Sequence, residues 1–284
     1  MIVFPNAKIN IGLRVLRRRT DGYHDIESIM VPVKWCDVLE LTPAGEPEGS
    51  FTLTGSALGG CPPEKNLVVK ALRALEAHLG SPLPPLDISL HKVIPDGAGL
   101  GGGSADAAFA IMAANDMLGL GLDRETMAAV AARVGADCPF FIYNRPLLVQ
   151  GIGERLTPVD VPALDGLHIA IVKPEAEAVS TREAYAGITP RELPEGTCLS
   201  AFAALSPEEW TASDVMVNDF EPSVFALRPV IAATLERMKA SGAVYAAMSG
   251  SGAAVYGLFH SAKMAEEAAA SFAGCRTFVG ALGL

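Results

Sequence analysis

Several signatures of common protein classes are missing from this sequence. No uninterrupted apolar run is long enough for a membrane-spanning helix. The N-terminus has no basic region followed by a long apolar stretch, so no signal peptide is predicted. The five cysteines are scattered and form no Cys-x-x-Cys pair, which argues against a disulfide framework and a zinc site. These absences favour a reduced, cytoplasmic compartment and no membrane partner.

Positive charge is also scarce. The chain has 22 Lys and Arg residues against 32 Asp and Glu residues, a formal net charge of −10. This balance argues against nucleic acid or an anionic membrane as the main partner, but it leaves room for a local basic pocket. Half of the 284 residues are hydrophobic, and the length allows two small domains. A proline-containing stretch from Pro158 to Gly166 predicts a boundary between domains 1–158 and 159–284.

The stretch from Pro95 to Ala108 is rich in glycine. It follows a predicted strand, Leu86 to Ile94, and it precedes an alanine-rich predicted helix, Ser104 to Leu118. Glycine tolerates a positive φ and lets the backbone approach a ligand, and a helix N-terminus offers unpaired N–H groups. The stretch therefore predicts a cradle for a nucleotide phosphate. The alternative is a flexible surface loop in front of a helix.

The better-known phosphate loops do not fit this stretch. No Gly-Lys-Ser/Thr closes it, so it is not a Walker A loop. Gly97-x-Gly99-x-x-Gly102 satisfies the loose dinucleotide pattern, but a second helix is predicted over Asp123 to Val134, where that fold needs a strand. The Val-Ala-x-Lys element that follows a protein-kinase glycine loop is also missing.

Two other patterns carry residue types suited to phosphate chemistry. Lys8 and Asn10 are two positions apart in a predicted strand, so they share one face and could contact a phosphate or a hydroxyl. The alternative is a solvated strand face. Asp137 lies between a glycine turn and Pro139, ahead of a predicted apolar strand. A turn-forming aspartate is the alternative for this residue.

The sequence resembles the GHMP kinase superfamily between residue 7 and residue 252. The motifs that carry the resemblance follow the superfamily's order: Ala7-Lys8-Ile9-Asn10, Asp21-Gly22-Tyr23-His24, the glycine stretch, Gly135-Ala136-Asp137-Cys138-Pro139 and Ser249-Gly250-Ser251-Gly252. The triple glycine followed by Ser-x-Asp-Ala-Ala is similar to the branch that acts on a diphosphocytidyl sugar alcohol. Ala105 departs from the pattern, because many relatives carry a second serine there.

This resemblance implies an α+β, two-domain GHMP kinase fold. The N-terminal, ATP-binding domain is expected to be ribosomal protein S5-like, and the C-terminal domain a ferredoxin-like α/β sandwich. The implied activity is ATP-dependent phosphorylation of the 2-hydroxyl of 4-diphosphocytidyl-2-C-methyl-D-erythritol in the non-mevalonate isoprenoid pathway. Mg²⁺ is expected to accompany ATP without dedicated protein ligands. The alternatives are a sibling kinase acting on homoserine, a sugar or mevalonate, and a non-catalytic nucleotide-binding module.

The resemblance also assigns residues to roles. Asp137 is expected to accept the proton of the substrate hydroxyl. Lys8 is expected to hold Asp137 ionised and to offset charge on the γ-phosphoryl group. The expected nucleotide-binding residues are Asn66, Pro95, Asp96, Gly97, Ala98, Gly99, Leu100, Gly101, Gly102, Gly103, Ser104 and Ala105. The expected substrate-binding residues are Asn10, Tyr23, His24, Thr181 and Tyr185. Helix capping is the alternative for Asn66 and Thr181, and core packing is the alternative for Tyr185.

Overall fold

The computed structural model describes residues 1–45, 47–56, 62–190, 197–212 and 215–282. Cys61 lies outside these residues. The strands are β1 (Ile2–Val3), β2 (Asn6–Arg18), β3 (His24–Cys36), β4 (Val38–Pro43), β5 (Phe51–Ser56), β6 (Leu86–His91), β7 (Leu147–Gly151), β8 (Arg155–Pro158), β9 (His168–Pro174), β10 (Tyr245–Met248), β11 (Val255–Phe259) and β12 (Cys275–Ala281). The helices are α1 (Leu67–Leu79), α2 (Gly102–Leu118), α3 (Arg124–Ala132), α4 (Cys138–Tyr143), α5 (Thr181–Ala186), α6 (Pro207–Ala212), α7 (Glu221–Leu227), α8 (Pro229–Ala240) and α9 (Ala262–Ala270). Across the described ranges, no helix has both the length and the apolar character to cross a membrane.

The chain forms two compact units that alternate along the sequence. The first unit comprises Met1–Ala7, Trp35–Ile94 and Gly101–Asn144, and the second comprises Lys8–Lys34, Pro95–Leu100 and Arg145–Leu284. The glycine stretch is therefore divided between the units at the peptide bond that joins residues 100 and 101. The domain boundary at residues 158 and 159 stays a prediction.

The first unit is a four-stranded sheet with helices. Its strand order is β1-β4-β6-β5, and β5 runs parallel to β6 while the other pairs are antiparallel. Helix α2 packs on α1 and α4, and its fully buried Ala105, Ala107 and Ala108 leave little side chain between it and its neighbours. The predicted helix behind the glycine stretch is present, but it begins at Gly102, two residues before Ser104.

One element of the first unit differs from the sequence-based expectation. The apolar segment after Asp137 was expected to be a strand, whereas Cys138–Tyr143 forms helix α4. Pro139 lies in the first turn of this helix, where its missing N–H costs nothing. The run is buried almost throughout, and a short, fully buried run has no periodicity that separates a helix from a strand.

The second unit contains two four-stranded sheets. One has the order β2-β3-β7-β8, and the other has the order β10-β11-β9-β12. In the latter, all neighbours are antiparallel, and helices α8 and α9 pack against it. The sequence order of these strands and helices is the split β-α-β pattern of a ferredoxin-like sandwich. The predicted α+β class is thereby confirmed. The helical segment from Glu221 to Ala240 is two helices, α7 and α8, broken at Arg228 because Pro229 follows it.

Candidate active site

Lys8 begins a buried chain of polar groups in the second unit. Its Nζ donates to Asn10 Oδ1 at 2.6 Å, Asn10 Nδ2 donates to Ser28 Oγ at 2.8 Å, and Ser28 Oγ donates to the Gly12 carbonyl at 2.6 Å. Lys8, Asn10 and Ser28 are 3%, 2% and 0% exposed. A buried ammonium is costly unless it is hydrogen-bonded, so this chain fixes where the charge of Lys8 lies. The shared face expected for Lys8 and Asn10 is present, while Ser28 was not anticipated.

The first half of the glycine loop, Pro95–Leu100, is anchored by its own backbone. The N–H of Lys8 donates to the Leu100 carbonyl at 2.9 Å. The carbonyls of Gly97 and Ala98 accept the N–H groups of Ala253 and Ala254 at 3.0 and 3.1 Å. Ala98 and Leu100 are buried, whereas Asp96 and Gly97 are exposed. Backbone hydrogen bonds therefore fix the conformation of this half of the loop, in contrast to the flexible surface loop that was the alternative.

Gly99 is a position where only glycine fits. Its φ is +73°, and a Cβ built there would lie 2.0 Å from the Ser249 carbonyl oxygen. Ser249 Oγ also donates to the Gly99 carbonyl at 2.9 Å. The turn at Ser249–Gly252 is the last of the segments that carry the family resemblance. It packs directly on the backbone of the loop.

The second half of the loop belongs to the first unit and becomes helix α2. Gly101 is the N-cap residue with φ +74°, and no side chain caps the helix. The first N–H groups of a helix have no partner inside it, so the start of α2 presents backbone donors and the positive end of a dipole. Gly102 and Gly103 add no side chains there. Ala105 is completely buried, so a second hydroxyl at this position would point into the core rather than toward a ligand.

Asp137 is half-buried at the N-terminus of α4. It is the N-cap residue of the helix and has helical dihedral angles, but its carboxylate makes no capping hydrogen bond to the first turn. The neighbouring Cys138 is buried, which raises the pKa of its thiol to about 11, and it hydrogen-bonds with Ser104. This contact joins the segment of Asp137 to the first turn of α2 inside the first unit.

A buried ion cluster lies under the start of α2. Lys92 Nζ donates to Asp37 and, at 2.7 Å, to Asp106 Oδ2. A Cβ built at Gly102 would lie 3.3 Å from Lys92 Nζ. Burial raises the pKa of Asp106 to about 7, and the nearby Asp37 carboxylate acts in the same direction. The positive charge of Lys92 acts in the opposite direction. Asp106 Oδ1 is buried without a hydrogen-bond partner among the described residues.

Two of the residues expected to bind the substrate, His24 and Tyr185, form an aromatic group in the second unit. The rings of His24 and Tyr185 stack at 4.7 Å with an interplanar angle of 19°. Burial and the charge of Arg18 lower the pKa of His24, which keeps its imidazole neutral. The side chain of Tyr23 is exposed. Thr181 is exposed in the first turn of α5, whose cap is Ser180, so capping does not explain Thr181.

Asn66 behaves as its alternative explanation predicts. Its Oδ1 accepts the N–H of Val68 at 2.9 Å and caps α1. The side-chain NH₂ group of Asn66 is not used in this bond, and a contact of this residue with adenine stays a prediction.

The expected site residues therefore fall into two groups. Lys8, Asn10, the Pro95–Leu100 half-loop and the aromatic group lie in the second unit, while Asp137, Asn66 and Gly101–Ala105 lie in the first. Ser28 and the Lys92 cluster were missed, because a single polar residue gives no sequence signal until its partners are known. Within the described part of the chain, no group of three or more His, Cys, Asp or Glu side chains could hold a metal ion.

Comparisons with known proteins show the family of the chain. The model of the GHMP kinases N terminal domain matches residues 66–145, and that of the GHMP kinases C terminal domain matches residues 198–275. The chain is 49% identical over 259 residues to the 4-diphosphocytidyl-2-C-methyl-D-erythritol kinase of Parabacteroides distasonis, covering 91% of this chain and 92% of that protein.

Solved structures give the same picture. The crystal structure of a 4-(cytidine 5'-diphospho)-2C-methyl-D-erythritol kinase superposes with a TM-score of 0.81 at 32% identity, covering 100% of this chain and 99% of the other. A homoserine kinase from Cytophaga hutchinsonii, 19% identical, has a TM-score of 0.71 over 98% of this chain and 94% of its own, which shows the shared fold alone. The chain belongs to the 4-diphosphocytidyl-2-C-methyl-D-erythritol kinases of the GHMP kinase family.

Proposed function

We propose that the protein transfers the γ-phosphoryl group of ATP to the 2-hydroxyl of 4-diphosphocytidyl-2-C-methyl-D-erythritol. The observation that carries the proposal is the double use of Lys8. Its backbone N–H holds Leu100 of the glycine loop, and its side chain is aimed by Asn10. One residue thus connects a phosphate loop to a buried positive charge, which is the combination that phosphoryl transfer needs. The acceptor is supported by the names of the relatives.

The proposed reaction is a direct displacement at phosphorus. The hydroxyl oxygen of the acceptor forms a bond to the γ-phosphorus, and the bond from that phosphorus to the β–γ bridging oxygen breaks, releasing ADP. The hydroxyl proton passes to the carboxylate of Asp137. Asp137 supplies a half-buried carboxylate at the N-terminus of α4 for this step. Lys8 offsets the negative charge on the transferred group.

Backbone groups of the loop supply most of the proposed phosphate binding. The N–H groups at the start of α2 and the glycine-rich segment before it suit the phosphates of ATP, since no side chain obstructs them. Mg²⁺ on the nucleotide neutralises the phosphate oxygens when it is bound. We expect the phosphates held at Gly101–Ser104 to carry the ion, as the family resemblance implies.

The aromatic group suits a nucleobase. A pyrimidine can stack on aromatic rings such as those of His24 and Tyr185, and a neutral imidazole both donates and accepts a hydrogen bond. The exposed ring of Tyr23 and the hydroxyl of Thr181 are open to contact with the acceptor. A kinase for homoserine or mevalonate has no base to bind and no need of this group.

A coupled assay of ADP release tests the proposal. ATP and Mg²⁺ are supplied with the diphosphocytidyl acceptor, and homoserine, galactose and mevalonate are assayed in parallel. Turnover with the cytidylated acceptor alone is the expected result. Turnover with another acceptor would preserve the kinase and overturn the cytidine pocket. ATP binding without any turnover would favour the non-catalytic alternative.

A further inference from the structure

The segment Asn218–Glu221 of the second unit connects parts of the molecule that lie far apart in sequence. Asn218 forms a parallel bridge with Leu13 of β2, where the Leu13 N–H donates to the Val217 carbonyl and the Asp219 N–H donates to the Leu13 carbonyl, each at 2.8 Å. The segment then starts α7. In the sequence it is only a polar stretch ahead of a helix, and the proposed reaction gives it no role.

Asn218 uses its whole side chain on backbone groups. The residue is 3% exposed, and its Nδ2 donates to the carbonyls of Met248 and Gly250, each at 2.8 Å. Its Oδ1 accepts the N–H of Phe220 at 3.0 Å. The two carbonyls flank Ser249, so one amide group sets the conformation of the turn at this residue. Glu221 supports the same turn by accepting the Met248 N–H at 2.9 Å.

The turn that Asn218 holds lies against the phosphate loop. Ser249 bonds the Gly99 carbonyl through its Oγ, and the following Ala253 and Ala254 bond the carbonyls of Gly97 and Ala98. The position of a Cβ on Gly99 is occupied by the Ser249 carbonyl oxygen. A movement of the turn must therefore move the loop, because there is no space between them to absorb it.

Phe220, two residues on, reaches the aromatic group. Its ring meets the ring of Tyr185 edge-on, with centroids 4.8 Å apart and planes at 90°. Tyr185 in turn stacks on His24. The same short segment therefore supports the backbone proposed to bind ATP and the rings proposed to bind the acceptor.

We propose that Asn218 and Phe220 are positioning residues for the two substrates, Asn218 for the nucleotide through the Ser249 turn and Phe220 for the cytidylated acceptor through Tyr185. This assignment rests on the proposed function. Neither residue touches a reacting atom, and each acts through one neighbour. Their effects should therefore separate by substrate, which a general loss of stability would not produce.

The test compares Asn218→Asp with Phe220→Leu in steady-state kinetics. Aspartate has the shape of asparagine but no N–H, so a carboxylate oxygen would face the Met248 and Gly250 carbonyls. We expect the KM for ATP to rise by about tenfold or more, the scale of a lost buried hydrogen bond, with the KM for the acceptor changed by less than about twofold. Phe220→Leu should give the reverse pattern.

Two further measurements keep the test decisive. Ser249→Ala removes only the hydroxyl bond to Gly99 and should raise the KM for ATP in the same sense if Asn218→Asp fails to fold. Calorimetric titration of ATP without acceptor should show weaker binding in Asn218→Asp and in Ser249→Ala. The inference would be overturned by unchanged ATP binding in Asn218→Asp and Ser249→Ala, or by a variant whose KM values for ATP and for the acceptor rise equally. If the wild-type protein had no turnover with the diphosphocytidyl acceptor, the proposed function would fail while the ATP titrations still tested Asn218.

Discussion

At the scale of single residues, the position of Lys8 depends on Ser28. The Lys8–Asn10–Ser28 chain passes from one strand to the next, and each hydrogen bond in it uses a side chain that has no water to replace its partner. Removing the Ser28 hydroxyl would leave the amide of Asn10 without an acceptor in a buried site. A buried N–H group without an acceptor destabilises the folded state, so the side chains would rearrange and the ammonium group of Lys8 would be displaced.

We predict that Ser28→Ala lowers kcat by about tenfold and costs about 1–3 kcal/mol in the free energy of unfolding. The hydroxyl touches no substrate in the proposed mechanism, so the KM values should change little. Steady-state kinetics and urea unfolding measure the two effects. Ser56→Ala, at an exposed position of β5, is the control. A variant with unchanged kcat would show that Lys8 is held without this chain.

The proposed catalytic roles lead to a second prediction. Asp137→Asn and Lys8→Met should each lower kcat by at least about a hundredfold, the usual scale of a general acid–base contribution. The substitutions Asp165→Asn and Lys70→Met, both at exposed positions, are the matched controls. A fully active Asp137→Asn variant would rule out its role as the base.

Some of these residue-level features could be predicted from the sequence and others could not. The two-residue spacing of Lys8 and Asn10 predicts their shared face, because side chains alternate along a strand. Ser28 lies 18 residues from Asn10, so its role depends on strand register, which spacing does not reveal. The same holds for Asn218, whose two acceptors lie 30 and 32 residues away.

At the scale of elements, the glycine loop is shaped by what packs on it. Gly99 has both a positive φ and a carbonyl oxygen where its side chain would be. Gly166, in the turn before β9, has a similar φ of +76° with nothing within 4 Å of its Cβ position. The two glycines separate the cost of backbone conformation from the cost of a collision.

We predict that Gly99→Ala displaces the loop and raises the KM for ATP by more than about tenfold, because the collision cannot be relieved without moving the turn at Ser249. Gly166→Ala carries only the strain of a positive φ, about 1–2 kcal/mol in stability, and should leave the KM unchanged. Nucleotide titration and thermal unfolding of both variants measure these effects. Equal ATP affinity in the two variants would contradict the prediction.

Most helices and strands could be predicted from periodicity and end signals. Asn66 and Gly80 mark the ends of α1, as their cap chemistry suggests. The exceptions have local causes. Helix α4 is too short and too buried for its pattern to be read, and Pro229 divides the helical segment after Phe220 into α7 and α8. The interleaving of the two units was not predictable, because no composition shift accompanies each crossing.

At the scale of the whole molecule, stability should depend on pH through Asp106. An ordinary aspartate has a pKa near 3.8, and burial raises that of Asp106 to about 7. Between these values the unfolded chain releases a proton that the folded chain keeps. The stability contributed by protonated Asp106 is therefore complete below about pH 4 and is lost as the pH rises through about 7.

We predict that Asp106→Asn removes this loss. The variant should be on the order of 4 kcal/mol more stable than the wild type at about pH 8, with little difference at about pH 4. Urea unfolding at both pH values measures the change, and Asp87→Asn, exposed on β6, is the control. The same pH slope in the variant and the wild type would show that Asp106 is ionised in the folded protein.

A cytoplasmic location without nucleic-acid or membrane partners also stays a prediction.

The alternation of the two units has a consequence for synthesis on the ribosome. The last residue of the first unit is Asn144, so all of its chain is available for folding when only about half of the protein has been made. The second unit pairs β12 with β9, across about a hundred residues, and its sheet cannot be completed until β12 emerges. Strands β2 and β3 of Lys8–Lys34 can pair with each other and with β7 early, but their contacts with Asn218 and Tyr256 form only when those residues emerge, and chaperones would find their binding sites there in the meantime.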